Sequence, residues 1–447
     1  MSAREPLDLS LPMLSAAYAS GTTSPTDVLS NVLARIAAYE RKNVWIYVLS
    51  VSQIDAQLRQ IEADRRAGKE LPLYGIPFAV KDNIDVAGVP TTAACPAFAY
   101  TPSRSADVVQ RLCDAGAIVV GKTNLDQFAT GLVGTRSPFG ACENSIDPAW
   151  ISGGSSSGSA VSVAGGLVSF SLGTDTAGSG RVPASFNNIV GLKPTVGMIS
   201  TEGVVPACKS LDCVSIFATT CADAKTILSI AAESAGTGTP LNTPFRCGVP
   251  RRDQLEFFGN TEAAKLFEIA IEKTRELGGS VETFDYSPFK QTAELLYEGP
   301  WVVERMLATG ALFKSNPQSL RPEIRTILEG AGRFNALDVF EGMYKLEKLR
   351  NETATQWRAM DVMLLPTAGT IYRIAEVEAD PMRLNRNLGY YTNFVNLLNL
   401  SALAVPNGFL NSGLPLGVTF IAPARQDIAL LEIGAAFHAL SGKGKLN

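Results

Sequence analysis

Residues 153–197 read GGSSSGSAVSVAGGLVSFSLGTDTAGSGRVPASFNNIVGLKPTVG, and the reading of the whole chain depends on this stretch. Glycines and hydroxyl residues are denser here than a core segment requires, and charge is almost absent. Glycine lets backbone approach backbone or ligand closely. Ser155, Ser156, Ser157 and Ser159 form one hydroxyl cluster, and Thr174, Asp175, Thr176 and Ser179 a second polar one. Val161 to Leu172 between them is apolar enough to be buried. The pattern is a hydroxyl loop, a buried element and a second hydroxyl loop, which would bring two serine clusters together. A Gly/Ser linker would lack the valines, leucines and phenylalanines found here. Consecutive N–H groups at Thr176, Ala177 and Gly178, beside Ser179, make the kind of nest that stabilises an oxyanion.

The surrounding 447 residues are 46% apolar and 18% charged, enough to bury a large core and too apolar for disorder. Net charge is −4 and no basic cluster stands out, so neither nucleic acid nor a membrane surface is an expected partner. The first residues, MSAREPLDLSLPML, carry charges at once and no sustained apolar run, so a secretory signal is not expected. No stretch reaches the roughly 18–20 unbroken apolar residues of a membrane span. Seven scattered cysteines without a CxxC spacing fit reduced thiols in the cytoplasm better than disulfides or a metal site.

The chain has a single histidine, His438, near its C-terminus in an expected helix. A Ser-His-Asp triad would have to use it, and a multi-histidine metal site cannot be built within one chain. If the serines act as nucleophiles, lysine is the best remaining base. Lys81 stands at the end of a short buried strand, Phe78 to Val80, where α/β enzymes place their sites. To act as a base, its pKa must fall from about 10.4 toward neutrality through burial or neighbouring dipoles.

Further out, Ser24-Pro25 caps a helix with Val28, Leu29, Val32, Leu33 and Ile36 on one face. Ile54, Leu58 and Ile61 give a second helix, closed by Gly68. GAIVVGKT at 116–123 matches the phosphate-loop pattern, but Ala-Ile-Val-Val between its glycines reads as a strand following a helix over 106–115, so nucleotide binding is rejected. Residues 124–140 read as a helical turn breaking into a loop, where Gly131 and Gly134 serve either as pocket lining or as simple turn glycines. After about residue 240 the pattern predicts a helix at 263–277, a strand near 281–285 and a helical region over 290–360, broken at Gly299-Pro300 with Tyr297 and Arg305 on either side. Strands at 361–365 and 416–421 and a helix at 426–440 close the chain. The alternation predicts an α/β fold, with a mixed, mainly parallel sheet covered on both faces by helices.

GGSSSGSA (153–160), GTDTAGS (173–179) and GLKPT (191–195) together resemble the amidase signature family, and the resemblance runs from about residue 10 to 440. Ala177 and Ser157 replace glycines found in many members, both small changes. The resemblance implies a triad of Ser179 as nucleophile, Ser155 as the serine after a cis peptide bond, and Lys81 as base. It implies an oxyanion hole from the N–H groups of Thr176, Ala177, Gly178 and Ser179, and no metal or organic cofactor.

Within the family, FATGLVGTRSPFG (128–140), GVVPACKSLDCVSIFA (203–218), ELLYEGPWVVER (294–305) and NLGYYTNFVNLLNLSALAVP (387–406) are similar to the members that hydrolyse allophanate, a urea carrying a carboxylate on one nitrogen. That similarity implies Arg305 as the carboxylate's partner, Tyr297 as a hydrogen-bonding residue and Gly131 as pocket lining. It further implies a single amidase domain over 1–447, with a catalytic core at about 65–240 and a helical recognition region at about 290–360. Such members usually carry a decarboxylation-linked C-terminal domain, and the expectation is that this chain lacks it. A homodimer in the cytoplasm, in urea or cyanuric-acid nitrogen catabolism, completes the expectation. Two other readings stay open: an amidase acting on glutamine with a tRNA-linked partner or on plain aliphatic amides, and a non-catalytic binding protein.

Overall fold

The computed structural model describes residues 7–232 and 244–441. The first six residues of the N-terminal reading and the core boundary near residue 240 lie outside this range. Eleven strands form one sheet: β1 (Trp45–Val48), β2 (Pro77–Lys81), β3 (Ile118–Thr123), β4 (Phe170–Asp175), β5 (Val190–Lys193), β6 (Cys213–Ala218), β7 (Phe245–Pro250), β8 (Gly279–Phe284), β9 (Val362–Pro366), β10 (Ser401–Val405) and β11 (Val418–Ala422). Their order is β1-β3-β2-β4-β6-β5-β10-β11-β9-β7-β8. The sheet is mixed, as expected, but its pairings are antiparallel more often than parallel. Parallel contacts join β2 to β3 and β4, and β7 to β8 and β9, while the middle, from β4 through β6, β5, β10 and β11 to β9, is antiparallel throughout. Chain neighbours β5–β6 and β10–β11 pair directly, which needs no crossover helix. Alternating strand and helix signals do not distinguish these cases.

Local chemistry accounts for the elements. Ser24 caps the helix Pro25–Ala38 reciprocally with Asp27, and Ser50 does the same with Gln53 for Val51–Arg66. The segment GAIVVGKT does form β3, fully buried, and its Lys122 pairs with Asp82 at 3.0 Å instead of facing a ligand. The signature stretch splits into the helix Ser157–Ala164, a turn and β4. This helix is pressed against the sheet: a Cβ on Gly158 would lie 2.1 Å from the Val44 carbonyl oxygen. Its hydroxyls satisfy buried groups. Ser159 Oγ lies 2.8 Å from Thr123 Oγ1 and donates to the Leu172 carbonyl at 3.0 Å. No helix among the described residues is long and apolar enough to cross a membrane.

Over 287–356 five α-helices follow one another, Ser287–Glu298, Trp301–Glu304, Met306–Ser315, Pro322–Ala331 and Ala336–Gln356, and the last packs back on the first. Gln127 ties this region to the core loops, donating to the Ser319 carbonyl at 3.1 Å and accepting from the Arg321 N–H at 2.8 Å.

Candidate active site

Lys81, at the C-terminal end of β2, is wholly buried. Its Nζ donates to Ser155 Oγ at 2.8 Å, Ser156 Oγ at 2.9 Å and Thr174 Oγ1 at 2.8 Å, with the Thr174 carbonyl at 3.4 Å. The parallel pairing of β2 with β4 puts the ends of these strands side by side, so the lysine meets both hydroxyl clusters. Burial lowers the Lys81 pKa to about 7, although the fields of Asp126, Asp212 and Asp175 oppose the shift. No carboxylate among the described residues lies within ion-pair distance of it, so the neutral amine is accessible near neutral pH. The Gly154–Ser155 peptide bond is cis, as the family resemblance implies.

Ser179 is 3% exposed, on the loop that leaves β4. Among the described residues its hydroxyl makes no hydrogen bond to Ser155; the structure joins Lys81 to Ser155 directly and leaves the last link of the relay open. Catalytic hydrogen bonds are often loose without substrate and tighten in the complex.

The loop is shaped by Asp175. Its carboxylate accepts the Gly178 N–H at 2.9 Å and the Gly180 N–H at 2.9 Å, and binds Arg181 through Nε at 2.9 Å and Nη2 at 3.0 Å. Burial alone would raise the Asp175 pKa, but the Arg181 charge and these bonds outweigh it and hold the carboxyl below its ordinary value. This corrects one expectation: the Gly178 N–H is already committed to Asp175 and is not free for an oxyanion. Among the described residues, the N–H groups of Thr176, Ala177 and Ser179 have no protein acceptor. Gly178 is held for another reason, since φ is +133° and a Cβ would meet Thr392 Oγ1 at 2.5 Å. Beneath Thr176, Asp212 accepts its hydroxyl and the N–H groups of Ala207 at 2.8 Å and Cys208 at 3.1 Å. Burial raises the Asp212 pKa to about 6 against those bonds.

Tyr297 and Arg305 also come together. The Gly299-Pro300 break ends one helix and starts the next, which puts the Arg305 guanidinium 5.3 Å from the Tyr297 ring centre. Arg305 is 3% exposed. Its Nη1 donates to Thr130 Oγ1 at 2.8 Å, its Nη2 lies 3.4 Å from Tyr297 Oη, and its Nε has no partner. It makes no ion pair among the described residues. Burial works against its charge, but the fields of Cys208, Tyr297, Asp212 and Glu304 outweigh it and raise its pKa, so the guanidinium stays charged and can take a ligand's carboxylate. Gly131 follows Thr130, and a Cβ there would meet Asp126 Oδ2 at 2.6 Å. Asp126 gathers the N–H groups of Val133, Gly134 and Arg136, so Gly131 belongs to the wall that carries Thr130.

Several contributors escaped the sequence reading: Ser156 and Thr174 as further partners of Lys81, Thr130, Arg136, Asp126, Asp212, and the Asp175–Arg181 pair. Ser156 and Thr174 stood in the hydroxyl clusters with nothing to single them out. The others are brought to the site by tertiary contacts between segments far apart in sequence.

The buried lysine stands among hydroxyl groups on the fold that the comparisons also find. The amidase family model matches residues 27–431, and the chain belongs to this family. A urea amidolyase from Saccharomyces cerevisiae is 45% identical over 405 residues, 88% of this chain and 22% of the relative. The chain thus spans about a fifth of that relative's length. Kluyveromyces lactis allophanate hydrolase superposes with a TM-score of 0.93 at 39% identity, covering 98% of this chain and 74% of that one. A glutamyl-tRNA(Gln) amidotransferase subunit from Deinococcus radiodurans is 33% identical over 96% of both chains.

Proposed function

We propose that this chain hydrolyses allophanate to N-carboxycarbamate and ammonia. The observation that carries the substrate assignment is Arg305, buried and without an ion pair among the described residues, held by Thr130 on the loop whose Asp126 N–H donates to the Ser155 carbonyl at 3.1 Å. Neutral Lys81 takes the Ser155 proton while Ser155 takes that of Ser179, and Ser179 attacks the terminal carboxamide carbon. The N–H groups of Thr176, Ala177 and Ser179 hold the oxyanion. The relay returns a proton to the departing ammonia. Water then cleaves the acyl-enzyme, and the released N-carboxycarbamate loses carbon dioxide afterwards. Arg305 takes the substrate carboxylate as a planar, bidentate partner, with Tyr297 and Gly131 at its side.

Two features favour this over the glutamine-linked reading. The urea amidolyase similarity, at 45%, exceeds that to the amidotransferase, at 33%. A glutamine pocket also needs a free acid for the ammonium group. The carboxylates whose fields reach Arg305 are Asp212 and Glu304. Asp212 is committed to Thr176 and two backbone N–H groups, and Glu304 accepts the Ser210 N–H at 2.7 Å and hydroxyl at 2.6 Å.

The recognition region at about 290–360, the core at about 65–240, the homodimer and the cytoplasmic setting belong to the same proposal. Seven free cysteines support a reducing compartment. Leu337, Phe340, Met343 and Tyr344, each more than half exposed on one stretch of the helix Ala336–Gln356, support a self-association surface. The test of the functional reading is ammonia release from allophanate by the parent and by Arg305→Gln. The variant should lose allophanate turnover while keeping any turnover of a plain amide; equal loss of both overturns the assignment of Arg305 to the carboxylate.

A further inference from the structure

Two cavities reach residues in contact with the groups described above, and they carry opposite charge. One, about 510 Å³, has Tyr297 and Met382 in its lining, with Arg333, Arg386 and a single acid, Glu298. The other, about 610 Å³, reaches Asp212 beneath the oxyanion loop and is lined by Asp85 and Glu202 as well, against Lys209 alone. Tyr297 touches Arg305, as described above. Met382 lies against a second buried guanidinium, with its Sδ 3.9 Å from Arg136 Nη2. Arg136 is 1% exposed, its Nη1 donates to the Thr130 carbonyl at 3.2 Å, and its Nε has no partner. Two buried cations therefore stand behind the wall of the first cavity, both touching Thr130. On its rim, Arg386 has no side-chain partner among the described residues, and Arg333 donates to the Glu298 carbonyl at 3.3 Å.

We propose that the cavity between Tyr297, Met382, Arg333 and Arg386 is the approach path of the anionic substrate, and that Arg333 and Arg386 draw the carboxylate inward to Arg305. This rests on the reading of the substrate as a carboxylate-bearing urea. A positive concavity with low-dielectric walls raises the local concentration of an anion and its rate of encounter, and salt abolishes the effect. The acidic cavity repels the same anion, so the two openings are not equivalent. Neither rim arginine touches the hydroxyl cluster, so both act on delivery and not on the chemical step.

The test is kcat/KM for allophanate as a function of ionic strength, in the parent, Arg333→Gln/Arg386→Gln and Glu202→Gln. The double variant should lose about tenfold in kcat/KM at low salt with kcat unchanged, and the gap should close at about 0.5 M salt. Glu202→Gln, in the acidic cavity, should lose nothing. The proposal is overturned if the double variant equals the parent at low salt, if its deficit persists in high salt, or if neutral biuret loses turnover by the same factor. A parent that releases no ammonia from allophanate overturns the functional reading itself. A parent that does, with salt-independent kcat/KM, overturns the approach path alone.

Discussion

A lysine buried beneath three hydroxyl groups, with no carboxylate in ion-pair range, loses its proton easily. That is the situation of Lys81, and its pKa of about 7 has two consequences. The base must be neutral to work, so kcat/KM should rise with pH through about 7 and level off above it. A profile that falls across this interval contradicts Lys81 as base. Stability follows the same group. The unfolded lysine keeps its proton up to about 10.5, whereas the folded one gives it up near 7, so between these values the unfolded state binds more protons. Folding should therefore gain about 1.4 kcal/mol per pH unit in this window, relative to Lys81→Met. Denaturant unfolding of both proteins at pH 7, 8 and 9 measures the difference in slope; parallel slopes would mean that Lys81 is charged in the fold. Ser179→Ala should lower kcat by about three orders of magnitude or more with folding intact. Of the residues proposed as a triad, Ser155 and Ser179 stood out in the signature motifs and Lys81 at the end of a buried strand. Arg136, Asp126 and Asp212 were not, because an isolated charged residue gives no sign that the fold will bury it.

Among the elements, the loop after β4 decides the most. Asp175 and Arg181 form a buried pair at its two ends, and the Asp175 carboxylate fixes Gly178 and Gly180. Arg181→Met leaves that carboxylate uncompensated, and unfolding free energy should drop by about 3–5 kcal/mol. A change below about 1 kcal/mol, read from guanidinium denaturation, would mean that Asp175 finds another partner. Gly178→Ala drives a Cβ into Thr392 at a φ unsuited to alanine, and kcat should fall about tenfold to a hundredfold as the neighbouring N–H groups shift. Wild-type kcat in that variant would remove the loop from the mechanism. The sequence marked this loop as an N–H nest, and in the structure one of those N–H groups, that of Gly178, turns to Asp175. The commitment of Gly178 to Asp175 was hidden because carboxylate orientation depends on Arg181, six residues on. Strand and helix positions were read closely from burial periodicity, as at 78–80 and 426–440, observed as Pro77–Lys81 and Asp427–Leu440. Strand direction was not, because hairpin and crossover connections leave similar marks in a buried strand.

In the whole molecule, the proposed site draws on the sheet and on the helices over 287–356. The end of β2 brings Lys81 to Ser155 and Thr174, while the helices over 287–356 bring Tyr297 and Arg305 to Thr130. The proposal assigns the chemistry to the sheet and the substrate choice to the helices, a division that the family resemblance implied. Its opposed cavities were beyond sequence reading, since Arg333 and Arg386 meet only in the fold. The exposed apolar stretch from Leu337 to Tyr344 predicts self-association, so Leu337→Glu/Tyr344→Glu should convert a dimer to a monomer in sedimentation velocity, and a parent already monomeric would refute it.

The most direct measurement is ammonia release from allophanate, glutamine and a plain aliphatic amide by the parent, Ser179→Ala and Arg305→Gln. The account predicts strong preference for allophanate, no turnover in Ser179→Ala, and loss in Arg305→Gln of about ten- to a hundredfold in kcat/KM on the carboxylate-bearing substrate alone. Equal turnover of the plain amide by the parent, unchanged in Arg305→Gln, would contradict it.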